Sequence, residues 1–133
     1  MPYKETELSY LAGLIDGEGC FLIRRVGTSL QARVTIANTA KSVMDWLKNT
    51  FGGCWWETQR PEENHKNLFT WEMSGKLIQK LLPQIFPYLI IKQEPAKIIL
   101  EFLSTLTRSC KLGLSQEVRD HRVNLKEQLV KTR

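Results

Sequence analysis

The stretch SYLAGLIDGEGCFLI, residues 9–23, decides how the rest of the chain is read. An apolar, helix-forming run ends in two acids, Asp16 and Glu18, interleaved with Gly17 and Gly19, and then turns into a strand. The C-terminal end of a helix carries partial negative charge, so a carboxylate there is disfavoured by about 0.3–1 kcal/mol. Two acids at that spot ask for a compensating partner or a chemical task.

Upstream, Thr6 is placed to cap the helix, with Glu7 in its first turn and Leu8, Leu11, Ala12 and Ile15 along one face. Gly17 and Gly19 are its predicted stop. Downstream, CFLIRRVGTSLQARVTIA reads as a hairpin around a Gly-Thr-Ser turn. In its second strand Leu30, Ala32, Val34 and Ile36 alternate with Gln31, Arg33 and Thr35. Asn38 or Thr39 caps a second helix that ends at Gly52 and Gly53. A second hairpin joins CWWETQ to NLFTWEMS across the polar loop RPEENHK. A helix over KLIQKLLPQIF, bent at Pro83, leads through the connector PYLIIKQ to a helix starting around Pro95. Gly113 closes that helix and Ser115 opens a last one, with Val118, Leu125 and Leu129 on a shared side.

Hairpins joined by helices predict the α+β class, an antiparallel sheet with helices packed on one face. The other face is expected to carry Arg24, Gln31, Arg33, Thr35, Glu57, Gln59, Thr70 and Glu72. Taken singly these suit a solvated surface; as a set rich in Arg and Gln they suit a β-ribbon in a DNA groove.

The composition fits this picture. At 133 residues the chain holds one domain, residues 1–133, with a real core. Its net charge of +5 suits a polyanion such as nucleic acid or an anionic membrane surface. The opening MPYKETELSY is polar where a secretion signal is apolar, and Lys, Gln or Pro interrupts every long apolar run, so the expectation is an intracellular protein that does not span a membrane. Cys20, Cys54 and Cys110 are odd in number and form no close pair, which predicts free thiols in a reducing compartment. His65 and His121 lack the spacing of zinc ligands.

The first helix carries the candidate chemistry. Gly13 and Gly17 lie one turn apart beside Ala12, a small-residue face that lets another helix approach closely. If that helix is a second copy of the same one, two Glu18 carboxylates meet on a twofold axis and repel, unless a proton or cation lies between them. A hard divalent cation with oxygen ligands, Mg2+, removes the conflict. Lys92 shows the opposite anomaly, a positive charge just before a helix N-terminus, where an anion is welcome. A scissile phosphate or a nearby carboxylate accounts for it, as does a solvated connector.

These residues carry a resemblance. LAGLIDGEG, residues 11–19, resembles the LAGLIDADG motif of homing endonucleases, with Gly-Glu in place of Ala-Asp. The resemblance runs on through the hairpin, IANT (36–39), FGG (51–53) and PYLIIKQEPA (87–96). It covers a core of about residues 6–105 and leaves 106–133 as a C-terminal helical extension. It implies an αββαββα core in which two motif helices pack together and saddle-shaped sheets cover duplex DNA. With one motif copy, the chain resembles the homodimeric members, with Ala12, Gly13 and Gly17 at the dimer interface and a (pseudo)palindromic target.

The resemblance also implies that Glu18 binds the metal, assisted by the Gly17 carbonyl, with Mg2+ as cofactor and Mn2+ or Ca2+ able to occupy the site. Lys92 would stabilise charge on the phosphate, Asn38 stands where the family's Gln orders water, and Asp16 matches the motif's first acid, a local structural group. The implied reaction is metal-dependent hydrolysis of one phosphodiester in each strand, leaving short 3′ overhangs, by an intron-encoded or free-standing gene product. A non-cleaving nucleic-acid binder of the same fold, an intron RNA maturase or a regulatory DNA-binding protein, is the alternative.

Overall fold

A computed structural model describes residues 2–59, 66–105 and 116–132. The order of elements is α1 (Glu5–Glu18), β1 (Gly19–Val26), β2 (Ser29–Asn38), α2 (Lys41–Phe51), β3 (Cys54–Thr58), β4 (Leu68–Ser74), α3 (Gly75–Ile85), α4 (Gln93–Ser104) and α5 (Gln116–Lys131). A short 3-10 turn, Phe86–Tyr88, links α3 to the connector before α4. The expected α+β class and αββαββα order are both present. Gly113, Ser115, Cys110, His65 and most of the RPEENHK loop lie outside the described residues.

The four strands form one antiparallel sheet in the order β1-β2-β4-β3. In the first hairpin Val26 pairs with Ser29 across Gly27 and Thr28. Gly27 has φ +60°, the positive value that a two-residue turn of this kind requires at its first central position. One sheet face presents Phe21, Ile23, Ala32, Val34, Ile36, Trp71 and Met73, all buried. Against it pack Leu8, Leu11, Ala12 and Ile15 of α1, Met44 and Leu47 of α2, and Ile78 and Leu82 of α3. Ile99 and Phe102 of α4 and Leu125 and Leu129 of α5 complete the same core. The buried Trp71 indole donates to Gly52 O at 2.8 Å, so its polar edge is satisfied.

Several boundaries differ from the sequence expectation, each because a backbone group finds a different partner. Lys4, not Thr6, precedes α1: Glu7 Oε1 accepts the Lys4 N–H at 3.0 Å and lets the helix begin two residues earlier. Gly17 does not stop α1, which runs through it to Glu18. The chain breaks at Gly19, where a Cβ would sit 2.7 Å from the Ile15 Cα, so only glycine fits. Ala40 is the N-cap of α2, and Asn38 instead accepts the Ala40 N–H on Oδ1 at 2.8 Å, an Asx turn just ahead of the helix. Helix α4 starts at Gln93 rather than Pro95, and Pro95 falls in its first turn, where no N–H is needed. Within α5 the buried residues are Arg122, Leu125 and Leu129, with Val118 only half-buried.

Candidate catalytic centre

The two anomalies of the sequence resolve each other at the junction of α1 and α4. The Asp16 carboxylate, in the last turn of α1, accepts backbone N–H groups from Ile90 (2.8 Å), Ile91 (3.2 Å) and Lys92 (3.0 Å). It therefore lies at the N-terminus of α4, where a negative charge is favoured. In return, the Lys92 ammonium donates to Gly19 O, at the C-terminal end of α1, where a positive charge is favoured. Each charge is misplaced on its own helix and well placed on its neighbour's. Asp16 is thus a structural clasp, as the resemblance implied.

Glu18 is left as the free acid of the pair. It is exposed, and its one hydrogen bond among the described residues comes from Asn38 Nδ2 to Oε2, at 2.6 Å. Because Asn38 Oδ1 is held by the Ala40 N–H, the amide can turn only its donor toward Glu18. Asn38 therefore reaches the acid directly, without a water between them. Glu18, Asn38 and Lys92 come from α1, the end of β2 and the N-cap of α4, and all three converge at the α1–β1 junction.

No cluster of three metal-ligating side chains exists among the described residues. The donors that one chain offers are nevertheless of the right kind. Among the described residues the Glu18 carboxylate has no cationic partner and receives a single neutral hydrogen bond, from Asn38. Carboxylate and carbonyl oxygens suit a hard divalent cation.

Gly13 and Gly17 open onto a groove along α1 lined by Ser9, Tyr10, Leu14 and Glu18, and a Cβ at either glycine would meet nothing within 4 Å. Ala12, expected on the same face, is instead fully buried in the chain's own core beside Leu11 and Ile15. The helical period turns it about a hundred degrees from Gly13. Tyr10, Ile90 and Ile91 are exposed, the last two at 83% and 73%.

The strand register sorts the expected DNA-facing residues. Arg24 pairs with Gln31, Thr35 with Glu72, and Thr70 with Trp56, so these lie on the face away from the helices, together with Arg33. There Arg33 Nη1 meets Glu72 Oε1 at 2.7 Å and its Nη2 donates to Gln31 Oε1 at 3.2 Å. Glu72 is consequently buried rather than solvated. Glu57 was expected on this face, but it pairs with Phe69 and so shares the helix-side face with Trp55 and Trp71; Gln59, two residues on, lies beyond the end of β3. Trp56, which sequence reasoning missed, takes that place and is 42% exposed. Two adjacent tryptophans blur the alternation that would have told them apart, and the pairing of Trp55 with Trp71 decides it.

Cys20 and Cys54 are free thiols, as expected. Among the described residues, no helix is long and apolar enough to cross a membrane.

No protein-family model matches the chain, and no curated protein matches it. Solved structures do. The homing endonuclease I-CvuI, in complex with the I-CreI target in the presence of Mg, superposes with a TM-score of 0.77 at 19% identity, over 97% of this chain and 83% of that one. The archaeal intron-encoded homing endonuclease I-Vdi141I complexed with DNA gives 0.78 at 18% identity, over 97% and 85%. The LAGLIDADG meganuclease I-AabMI bound to uncleaved DNA gives 0.71 at 20% identity, over 92% of this chain but 44% of that one. This chain has the fold of the LAGLIDADG homing endonucleases.

Proposed function

We propose that the protein is a site-specific DNA endonuclease that acts as a homodimer and hydrolyses one phosphodiester in each strand of a duplex, leaving short 3′ overhangs. The observation that carries this reading is the exposed, outward-oriented Glu18 carboxylate held by Asn38 beside a tethered Lys92. The structures similar to this one include complexes with DNA, one in the presence of Mg and another in the presence of Ca, which supports both duplex DNA as substrate and a divalent cofactor.

Glu18 and the Gly17 carbonyl would hold the cation, Mg2+ by preference, with Mn2+ or Ca2+ as substitutes. When bound, it supplies a Lewis acid for the phosphate and lowers the pKa of water. The protein's own groups then have distinct tasks. Asn38 fixes the rotamer of Glu18 through the Ala40 N–H. Lys92 presents positive charge where negative charge builds on the phosphate, and the Asp16 clasp keeps its backbone in place. Arg24, Gln31, Arg33 and Thr35, with Thr70 and Trp56, would face base edges in the major groove.

Dimerisation is supported by what the single chain leaves unexplained. Glycine inside a helix costs about 0.8–1.0 kcal/mol relative to alanine, and among the described residues nothing lies within 4 Å of a Cβ added at Gly13 or Gly17. A second α1 against that face would account for both, would cover Tyr10 and would bring a second Glu18 near the first as a further oxygen donor for the cation.

Cleavage selection on a randomised plasmid library, with and without Mg2+, tests the reading. Linear product that requires Mg2+ is expected. Tight binding without cutting would favour a non-cleaving binder of the same fold.

A further inference from the structure

The tip of the β1–β2 hairpin and α5 enclose a cleft that the centre described above does not use. It is lined by Arg25, Thr28, Ser29, Arg119 and Arg122, together with Leu30 and Val123, and no carboxylate lines it among the described residues. Its volume of about 620 Å³ lies within the range of ligand clefts.

The three guanidiniums differ in their freedom. Arg122 is buried and fixed: its Nε donates to Thr105 Oγ1 at 2.8 Å, its Nη2 to Thr105 O at 3.0 Å, and its Cζ lies over the Phe102 ring, 5.4 Å from the centroid. Arg25 and Arg119 are exposed, and neither has a carboxylate partner among the described residues. Like charges gathered around one cavity repel unless an anion lies between them. Guanidinium forks together with the Thr28 and Ser29 hydroxyls make a donor set that matches phosphate oxygens. Ser29 also pairs with Val26 on the outward sheet face, the face of Arg24 and Gln31. Arg25 pairs with Leu30 on the opposite, helix-side face, so the cleft lies at the hairpin end where the two faces meet.

We infer that this cleft binds phosphodiester groups of the duplex, flanking the base pairs that the outward face reads. The inference rests on the nuclease reading above and extends its footprint to α5. Such contacts hold and orient the duplex without carrying sequence information.

The test is equilibrium binding of the full chain to a long duplex recovered by selection, across a range of salt, for wild type and for the double variant Arg25→Gln/Arg119→Gln. Each lost phosphate contact makes the slope of log K against log salt shallower by about 0.9. The variant should bind more weakly, with a shallower slope and unchanged base preference. On a duplex trimmed to the read base pairs, wild type and variant should bind alike. Equal affinity and slope on the long duplex would overturn the inference. So would a melting-temperature rise with inorganic phosphate that the variant loses while its duplex binding stays intact, which marks a small-anion site. If the wild type binds no duplex at all, it is the nuclease reading that fails, and the inference with it. Both arginines are exposed, and an unchanged circular-dichroism melt confirms that the variant is folded.

Discussion

The Asp16 carboxylate accepts the backbone N–H of Lys92 at 3.0 Å while the Lys92 side chain reaches back to Gly19 O, so α1 and α4 each hold the charge that the other's end needs. Of the two acids in the opening motif, Asp16 therefore closes the fold, while Glu18 stays exposed beside Asn38.

Asp16→Ala removes the acceptor of three backbone N–H groups. It should lower stability by about 1–3 kcal/mol, the cost of leaving donors without a strong partner, and should slow any cleavage by loosening Lys92. Urea unfolding measures the first effect. A variant as stable as the wild type would mean that water replaces the carboxylate at no cost.

Glu18→Gln should eliminate cleavage while leaving duplex affinity nearly unchanged, because the change removes charge but not shape. Asn38→Ala should reduce cleavage by about 10–100-fold, the usual effect of losing a group that orients a metal ligand, and should raise the Mg2+ concentration needed for half-maximal rate. Cleavage rates titrated against Mg2+ distinguish these outcomes. An Asn38→Ala enzyme with wild-type Mg2+ dependence would reduce Asn38 to its Asx turn.

Lys92→Met keeps the length of the side chain and removes its charge. The rate of strand scission should fall by about 10²–10³-fold, the scale of one lost electrostatic donor, with duplex binding little affected. An unchanged rate would leave Lys92 only its contact with Gly19 O.

At Gly13 a Cβ meets nothing within 4 Å among the described residues, so the Gly13→Leu monomer should remain folded. Sedimentation should show the dimer lost, and cleavage with it. A dimer that survives this substitution would place the interface elsewhere.

Much of the fold is legible in the sequence, and the misses lie where tertiary contacts decide. Element order followed from periodicity, as in Leu30, Ala32, Val34 and Ile36, because a repeat of two writes burial directly into the chain. The sequence singles out Glu18, Asn38 and Lys92 as candidates, but the direct contact between Asn38 and Glu18 is visible only in the structure. Element ends were misplaced where a distant group satisfies the backbone: nothing near Gln93 in sequence announces that Asp16 will cap the turn before it. The face of β3 was misread because Trp55 and Trp56 look alike to a hydrophobicity pattern, and only pairing with β4 separates them. Ala12 was assigned to the open face because it is small, whereas its position on the helix turns it into the core.

Arg33 is tied to Glu72 and Gln31, so its guanidinium is held in one orientation on the outward face. Arg33→Ala should cost about 1–3 kcal/mol of discrimination at one base pair, and Gln31→Ala should be strongly non-additive with it. Binding to a panel of single-base variants measures both. A loss spread evenly over all sequences would make Arg33 a phosphate contact.

The most direct measurement is strand scission of the selected target in Mg2+ by the wild type and by Glu18→Gln, followed alongside duplex binding of both. The wild type should linearise the plasmid and Glu18→Gln should bind it equally well without cutting. Equal cutting by the two proteins, or tight binding with no cutting by the wild type, would contradict the assignment of Glu18 as the acid that makes this chain a nuclease.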